Sequence, residues 1–319
     1  MEFPDTAFWQ AKICGAGAGR YAPSPSGDLH LGNLRTALLA WAYARKAGKN
    51  FYLRIEDLDT RSRPLYVDRQ LRDLEALGIT WDATPIKQSE RQDFYNHCFQ
   101  ELQRQDLLYP CYCTRRELAE IASAPHTPPG AYPGICRNLS PEKRAERAAA
   151  RPGRQVAWRL RAENQHLEVH DKNLGLYCGL VDDFVLKRGD GVYSYNFVSV
   201  LDDADMGITQ IVRGDDLLPS TPRQVYFQQL LEIPRPEYCH VPLVLNMAGQ
   251  RLAKRDGAVT FSQLRDLGLQ AADIVQLLAA SLGWEEVRSS SEFLEVFTPE
   301  QISPAAWRWP GVGAEKAPE

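Results

Sequence analysis

The 319-residue chain has no run of about 18 apolar residues and no basic-then-apolar start, so the sequence offers neither a membrane span nor a secretory signal. A cytoplasmic protein is expected. It also lacks an excess of positive charge. The formal net charge is −4, so any nucleic-acid partner must be met by local basic patches rather than by a global footprint. A disulfide framework is missing too. The seven cysteines are odd in number and unevenly spread, with Cys111, Cys113 and Cys136 clustered and Cys14, Cys98, Cys178 and Cys239 alone. That pattern favours reduced thiols with one candidate metal site. There is no internal repeat, no long low-complexity tract and no serine or cysteine arrangement that demands a covalent intermediate. What remains, at 44% hydrophobic and 24% charged residues, is an ordinary globular composition. The length suits two domains, or one with a large insertion.

Hydrophobic periodicity divides the chain into alternating elements. Residues 1–19 end in CGAGAG and read as a mobile leader whose glycines follow no strand, which argues against a dinucleotide fingerprint there. From Leu34 onward, Ala37, Leu38 and Trp41 recur at helical spacing, and FYLRIEDLD then reads as a short buried strand running into an acidic loop. A second helix carries Val67, Leu71, Leu74 and Leu77 on one face and stops at Gly78. A third begins near Ser89, with Gln92 three residues on as a capping box, and buries Phe94, Cys98, Phe99 and Leu102. Residues 20–108 are thus expected to form the first half of a parallel α/β sheet. Residues 109–175 break the rhythm with the clustered cysteines, the turn-rich SAPHTPPGAYPG and the basic RNLSPEKRAERAAARPGR, and read as an insertion. Alternation resumes with VAWRLRA. Residues 176–245 supply the second half, with RGDGVY as a hairpin turn and YCHVPLVLN as a buried strand. Residues 246–319 hold RLAKRDG and a helical segment with Ile274, Leu277, Leu278 and Leu282 on one stripe.

Two stretches carry candidate chemistry. RYAPSPSGDLHLGN, residues 20–33, follows a strand and opens a helix, where backbone amides at the helix start can meet phosphate oxygens. Pro23 and Pro25 stiffen the approach and Gly27 permits a bend. His30 and Gly32 fall at the helix entrance, the histidine able to donate to phosphate and the glycine leaving room for an adenine. An ordinary strand-to-helix turn would read the same way. RLAKRDG places Arg251, Lys254 and Arg255 in a glycine-ended loop suited to stabilising charge on a triphosphate; alone, it also reads as a solvated turn.

Together and in this order, HLGN and LAKR resemble the two signature motifs of class I aminoacyl-tRNA synthetases, which activate an amino acid as its adenylate on a Rossmann-type fold. The flanks narrow this. RYAPSPSGDLHLGNLRTAL, FYLRIEDLDTRS and GDGVYSYNFVSVLDDADMGITQIVRGDDLLPSTPRQ are similar to the glutamyl/glutaminyl branch over nearly all of residues 20–260. The resemblance implies an α/β fold: a Rossmann-type parallel-sheet catalytic domain, a zinc-bearing insertion and a helical C-terminal segment. It implies glutamate contacts at Arg20, Tyr21, Ala22, Pro23, Ser24, Glu56, Tyr195 and Arg213. ATP contacts fall on His30, Gly32, Asn33, Arg251, Lys254 and Arg255, with His30 and Lys254 catalytic. The chemistry agrees, because glutamate carries two carboxylates and one ammonium and needs two cationic forks and an acidic counter-ion. Which arginine holds the side-chain carboxylate is left open.

The sequence runs only about 60 residues past AKRDG, so an anticodon-binding domain is not expected, and in this it resembles the glutamyl-queuosine tRNA(Asp) synthetase family. That family implies a structural zinc on Cys111, Cys113, Tyr132 and Cys136, with His126 as a substitute ligand. Without the resemblance, three free cysteines in a loop with Tyr132 packed against Pro133 is the favoured reading. The expected partners are ATP with magnesium, L-glutamate and a queuosine-bearing tRNA(Asp), for a monomer with no membrane attachment. Departures from the motifs are Asn33 for the second histidine of the first motif, and Arg251 and Ala253 for lysine and serine of the second. Two alternatives stand beside this: a compact glutamyl-tRNA synthetase charging a 3′ end, and a non-catalytic zinc-containing RNA-binding module.

Overall fold

In the computed structural model, residues 4–114, 116–118, 131–162, 164–252 and 259–311 are described. The strands, in chain order, are β1 (Ala18–Tyr21), β2 (Asn50–Ile55), β3 (Ile86–Lys87), β4 (Leu108–Cys111), β5 (Ala157–Leu160) and β6 (Gln165–Asp171). They continue with β7 (Gly175–Val181), β8 (Val185–Lys187), β9 (Ile208–Gly214), β10 (Glu237–Val241), β11 (Val244–Leu245) and β12 (Trp307–Arg308). Seven of them form the central sheet, in the order β3-β2-β1-β9-β10-β6-β7. Every neighbouring pair is parallel except the β6–β7 hairpin at one edge. This is the mostly parallel α/β sheet that the alternation of elements implies.

Four helices in the first part carry the labels α1 (Thr6–Ala11), α2 (Leu31–Lys46), α3 (Pro64–Ala76) and α4 (Gln92–Arg104). Helix α2 is apolar nearly all round, and so is covered on both sides. It packs on β1, β2 and β9 and, on its outer side, on the C-terminal helices Ala271–Ala280 and Ser290–Val296. The fit to β1 is close. A Cβ added at Gly19 would lie 2.8 Å from the Cβ of Ala44, so glycine there lets strand and helix meet. Arg35, buried within α2, gives its guanidinium to the Pro242 carbonyl (2.7 Å) and to the Ser281 hydroxyl (3.0 Å), joining the helix to its neighbours. Among the described residues no helix is long and apolar enough to cross a membrane.

Three segments differ from their expected form. The stretch read as a mobile leader carries α1, whose Trp9 is 1% exposed, and Lys12 pairs with Asp205 at 2.7 Å. One large aromatic ring anchors a segment whose remaining composition looks loose. Ser89 starts no capping box. It sits in a 3-10 turn, its N–H and hydroxyl both donate to Asp57 (2.8 and 2.6 Å), and α4 begins at Gln92. A carboxylate from another loop takes the donors that a local cap would use. Residues 109–175 divide between two sheets. β5 joins β4 and β8 in a small antiparallel sheet, while β6 returns to the central one.

Candidate active site

Chain connections leave β1 toward β2 on one side and β9 toward β10 on the other, and a crevice opens where the two directions part, beyond the strands' carboxyl ends. A cavity of about 560 Å³ lies there. Arg20, Tyr21, Ala22, Pro23, Ser24, Glu56, Tyr195 and Arg213 all line it, and so do His30, Gly32, Asn33 and Arg251. The structure therefore brings together residues from four separate stretches of sequence. Lys254 and Arg255, and Ala253 beside them, lie outside the described residues. The flanks of that segment are at the site: Arg251 lines the cavity, and the Val259 carbonyl accepts from the Leu31 N–H at 2.8 Å.

One end of the cavity is built from buried charge. Arg54, near the C-terminal end of β2, donates to Asp203 (2.5 Å) and to Glu56 (3.1 Å), and Arg20 donates to the same Asp203 oxygen at 3.1 Å. Burial opposes the Arg54 charge, but Asp203, Glu56 and Asp202 hold it well above its ordinary value. Burial likewise works against the Asp203 carboxylate, and Arg20 and Arg54 overcome it, so its pKa is lowered. Glu56 goes the other way: burial raises it, only partly offset by Arg54. Glu56 thus lines the cavity with one oxygen engaged by Arg54 and its charge incompletely balanced, a suitable partner for an ammonium. Arg213, on β9, has no carboxylate in contact among the described residues. It donates to His240 Nε2 (3.0 Å), Tyr195 Oη (3.0 Å), Gln224 Oε1 (2.7 Å) and Thr221 Oγ1 (2.8 Å).

The other end is the start of α2. His30 is its N-cap: Nδ1 accepts from the Gly32 N–H (3.1 Å), and the Asn33 side-chain oxygen accepts from the His30 N–H (3.3 Å). Burial, then Arg251, lowers the His30 pKa to about 4. The ring is therefore neutral near pH 7, and because Nδ1 accepts, its proton is on Nε2 and free to donate. A Cβ at Gly32 would stand 3.1 Å from the imidazole, so glycine leaves the ring its place. Helix-start amides and the helix dipole favour an anion beside this N–H donor. Arg251, 60% exposed on its side chain, pairs with Asp216 at 2.7 Å. Gln70 braces the intervening turn, its amide N–H groups reaching the carbonyls of Gly27 (2.7 Å) and Ser24 (3.2 Å).

The cysteine cluster is separate. The sulfurs of Cys111, Cys113 and Cys136 lie within 4.8 Å of one another, all three buried, with Cys113 and Cys136 3.6 Å apart. The Tyr132 hydroxyl is 3.5 Å from the Cys111 sulfur and 3.8 Å from that of Cys113. A tetrahedron with metal–sulfur bonds of about 2.3 Å has edges of roughly 3.8 Å, so the four donors fit one ion. His126 is outside the described residues. The cluster sits in a small core of its own with Tyr109, which fits a structural pin.

Sequence reasoning missed Arg54, Asp203, His240 and Gln70. Arg54 left a signal, a charge within the apolar strand FYLRI, and so did His240 in YCHVPLV. The partners that explain them come from distant segments, and no local pattern announces them.

Comparison with known proteins gives four matches. Residues 18–307 match the family of tRNA synthetases class I (E and Q), catalytic domain. The chain is 55% identical over 291 residues to a glutamyl-Q tRNA(Asp) synthetase of Nocardia farcinica, covering 91% of this chain and 92% of that protein. It is 46% identical over 276 residues to one of Symbiobacterium thermophilum, covering 82% and 85%. Among solved structures, a glutamate tRNA ligase of Elizabethkingia meningosepticum, in complex with its amino acid, superposes with a TM-score of 0.77 at 27% identity. That match covers 92% of this chain and 67% of the other.

Proposed function

The chain belongs to the glutamyl-Q tRNA(Asp) synthetases, within the class I tRNA synthetases for glutamate and glutamine, and from that membership we propose that it activates glutamate with ATP and transfers it to queuosine in the anticodon loop of tRNA(Asp). It is an ATP-dependent ligase of the aminoacyl-tRNA synthetase type. The observation that carries the reading is a single crevice with paired cationic forks and Glu56 at one end and the neutral His30 N-cap at the other.

In the first step an α-carboxylate oxygen of glutamate attacks the α-phosphorus of ATP, forming glutamyl-adenylate as the bond to pyrophosphate breaks. Arg20 and Arg213 bind the two carboxylates, Glu56 takes the ammonium, and Tyr195 lies beside Arg213. The turn Tyr21–Ser24 shapes the pocket wall. Gly32, Asn33, Arg251 and Arg255 flank the nucleotide, the Nε2–H of His30 donates to a phosphate oxygen, and Lys254 offsets the developing negative charge. In the second step a ring hydroxyl of queuosine attacks the activated carbonyl, the proton leaves the hydroxyl, and AMP departs. Neither step forms a covalent bond to the enzyme. Magnesium accompanies the ATP. Zinc on Cys111, Cys113, Tyr132 and Cys136 supplies a structural cross-link to the insertion, away from the reacting atoms. We take the enzyme to act as a cytoplasmic monomer.

ATP–pyrophosphate exchange tests the first step, with and without tRNA. The expected result is exchange that depends on glutamate. Its absence under both conditions would contradict the activation chemistry and favour a pure RNA binder.

A further inference from the structure

Arg213 is 5% exposed, yet four of its five N–H donors go to uncharged acceptors. The carboxylate nearest in this network, Asp171, is kept one residue away. Asp171 Oδ2 lies 2.6 Å from His240 Nδ1, and His240 Nε2 accepts from Arg213 Nε at 3.0 Å. His240 is fully buried. Its protonation follows from these contacts. With Nδ1–H given to Asp171, Nε2 has only its lone pair to offer the guanidinium, whereas an imidazolium would set two N–H donors against each other. Burial lowers the His240 pKa, with Arg213 adding to it and Asp171 opposing. Asp171 is itself fixed by the backbone N–H groups of His240 (2.9 Å), Asn173 (3.0 Å) and Leu174 (2.9 Å).

We propose that Asp171 and His240 are positioning residues that fix the plane of Arg213 while leaving its charge unmatched, and that this arrangement sets the preference for glutamate over glutamine. The inference rests on the glutamate reading above. It draws on a contrast between the two arginines of the site. Arg20 is already bonded to Asp203, so it arrives at the ligand as one half of an ion pair. Arg213 is held by a histidine, a tyrosine, an amide and a hydroxyl, with no carboxylate in contact among the described residues, so Arg213, rather than Arg20, is assigned to the side-chain carboxylate of glutamate, which supplies the countercharge. An amide in the same place offers its oxygen but no charge, and leaves a buried guanidinium uncompensated. The strand register makes the relay rigid: β9 and β10 pair His240 directly with Arg213, and β6 on the far side of β10 supplies Asp171.

The test is exchange kinetics on the full chain, comparing wild type with His240→Leu, Asp171→Asn and His240→Gln, with glutamate and glutamine as alternative substrates. His240→Leu and Asp171→Asn should raise the KM for glutamate about tenfold or more, the size expected when a hydrogen bond to a charged group is lost. The KM for ATP and the kcat at saturating glutamate should stay within about threefold, and the rate ratio of glutamate to glutamine should fall as the glutamate KM rises. His240→Gln offers an oxygen to Arg213 and an N–H to Asp171, and should recover most of the affinity. A glutamate KM within twofold of wild type in every variant overturns the proposal. So does a parallel change in both KM values and kcat, or a His240→Gln protein as impaired as His240→Leu. If His240→Leu fails to fold, Asp171→Asn against His240→Gln decides, since only the relay makes the first weak and the second near wild type. A wild-type chain without glutamate-dependent exchange overturns the functional reading and the relay with it, and so is distinct from failure of the relay alone.

Discussion

At the residue scale, the site works by choosing which groups are charged. His30 shows this most simply. A histidine in water titrates near 6.5, and this one is lowered to about 4 by burial and then by Arg251. The sign follows from proton linkage: the unfolded chain binds the proton first as pH falls. The stability that the neutral ring contributes is therefore complete above about pH 6.5 and is lost on acidification through about pH 4. The prediction is that the His30 ring resonances, assigned by comparison with His30→Gln, titrate near pH 4 in the folded protein. A midpoint near 6.5 would contradict a neutral N–H donor held beside phosphate. Much of this scale could be read from the sequence, because HLGN and IED put chemically distinctive residues at a strand end and a helix start. The supporting groups could not. Asp171 and His240 meet across paired strands but are far apart in the chain, and Asp203 serves Arg20 and Arg54 from a third segment.

At the element scale, the parallel strands and the long helices follow from periodicity: α3 and the helix Ala271–Ala280 bury the stripe that their spacing announces, whereas α2, whose spacing from Leu34 suggests an amphipathic helix, is buried on both sides because the C-terminal helices cover its outer face. Gly78 ends its helix in a left-handed conformation at φ +74°, as a terminating glycine should. The insertion was harder, because a small antiparallel sheet and a strand of the main sheet follow each other without a compositional break. Beyond the strand pairings, Asp182 and Asp183 tie it in. The Tyr132 N–H donates to Asp182 (2.8 Å), which also receives Arg223 (2.6 Å) from the helix Thr221–Leu230, and Asp183 receives the Tyr109 hydroxyl (2.6 Å) and Arg137 (2.8 Å). If the cluster holds zinc, a segment with so small a core of its own should depend on the ion. Purified protein should contain about one equivalent of zinc, and chelation or Cys136→Ser should lower the melting midpoint by several degrees, as loss of a structural ion does. Less than a tenth of an equivalent after gentle purification would count against zinc, and an unchanged midpoint on chelation would count against a structural role.

At the scale of the whole molecule, the sheet order puts one crevice where β1 and β9 part, and the cavity residues converge there from the first loop, the acidic loop after β2, β9 and the segment after β11. That convergence explains how widely spaced motifs act as one site, and it accounts for activation of glutamate. It does not by itself fix the acceptor, because a hydroxyl on a ribose and a hydroxyl on a modified base attack the same carbonyl in the same way. The acceptor is therefore the point to test. Labelled glutamate should be transferred by the enzyme to queuosine-bearing tRNA(Asp), and the product cut with nuclease. Label is expected on the anticodon-loop fragment and none on tRNA lacking queuosine; label on the 3′-terminal fragment would contradict transfer to queuosine.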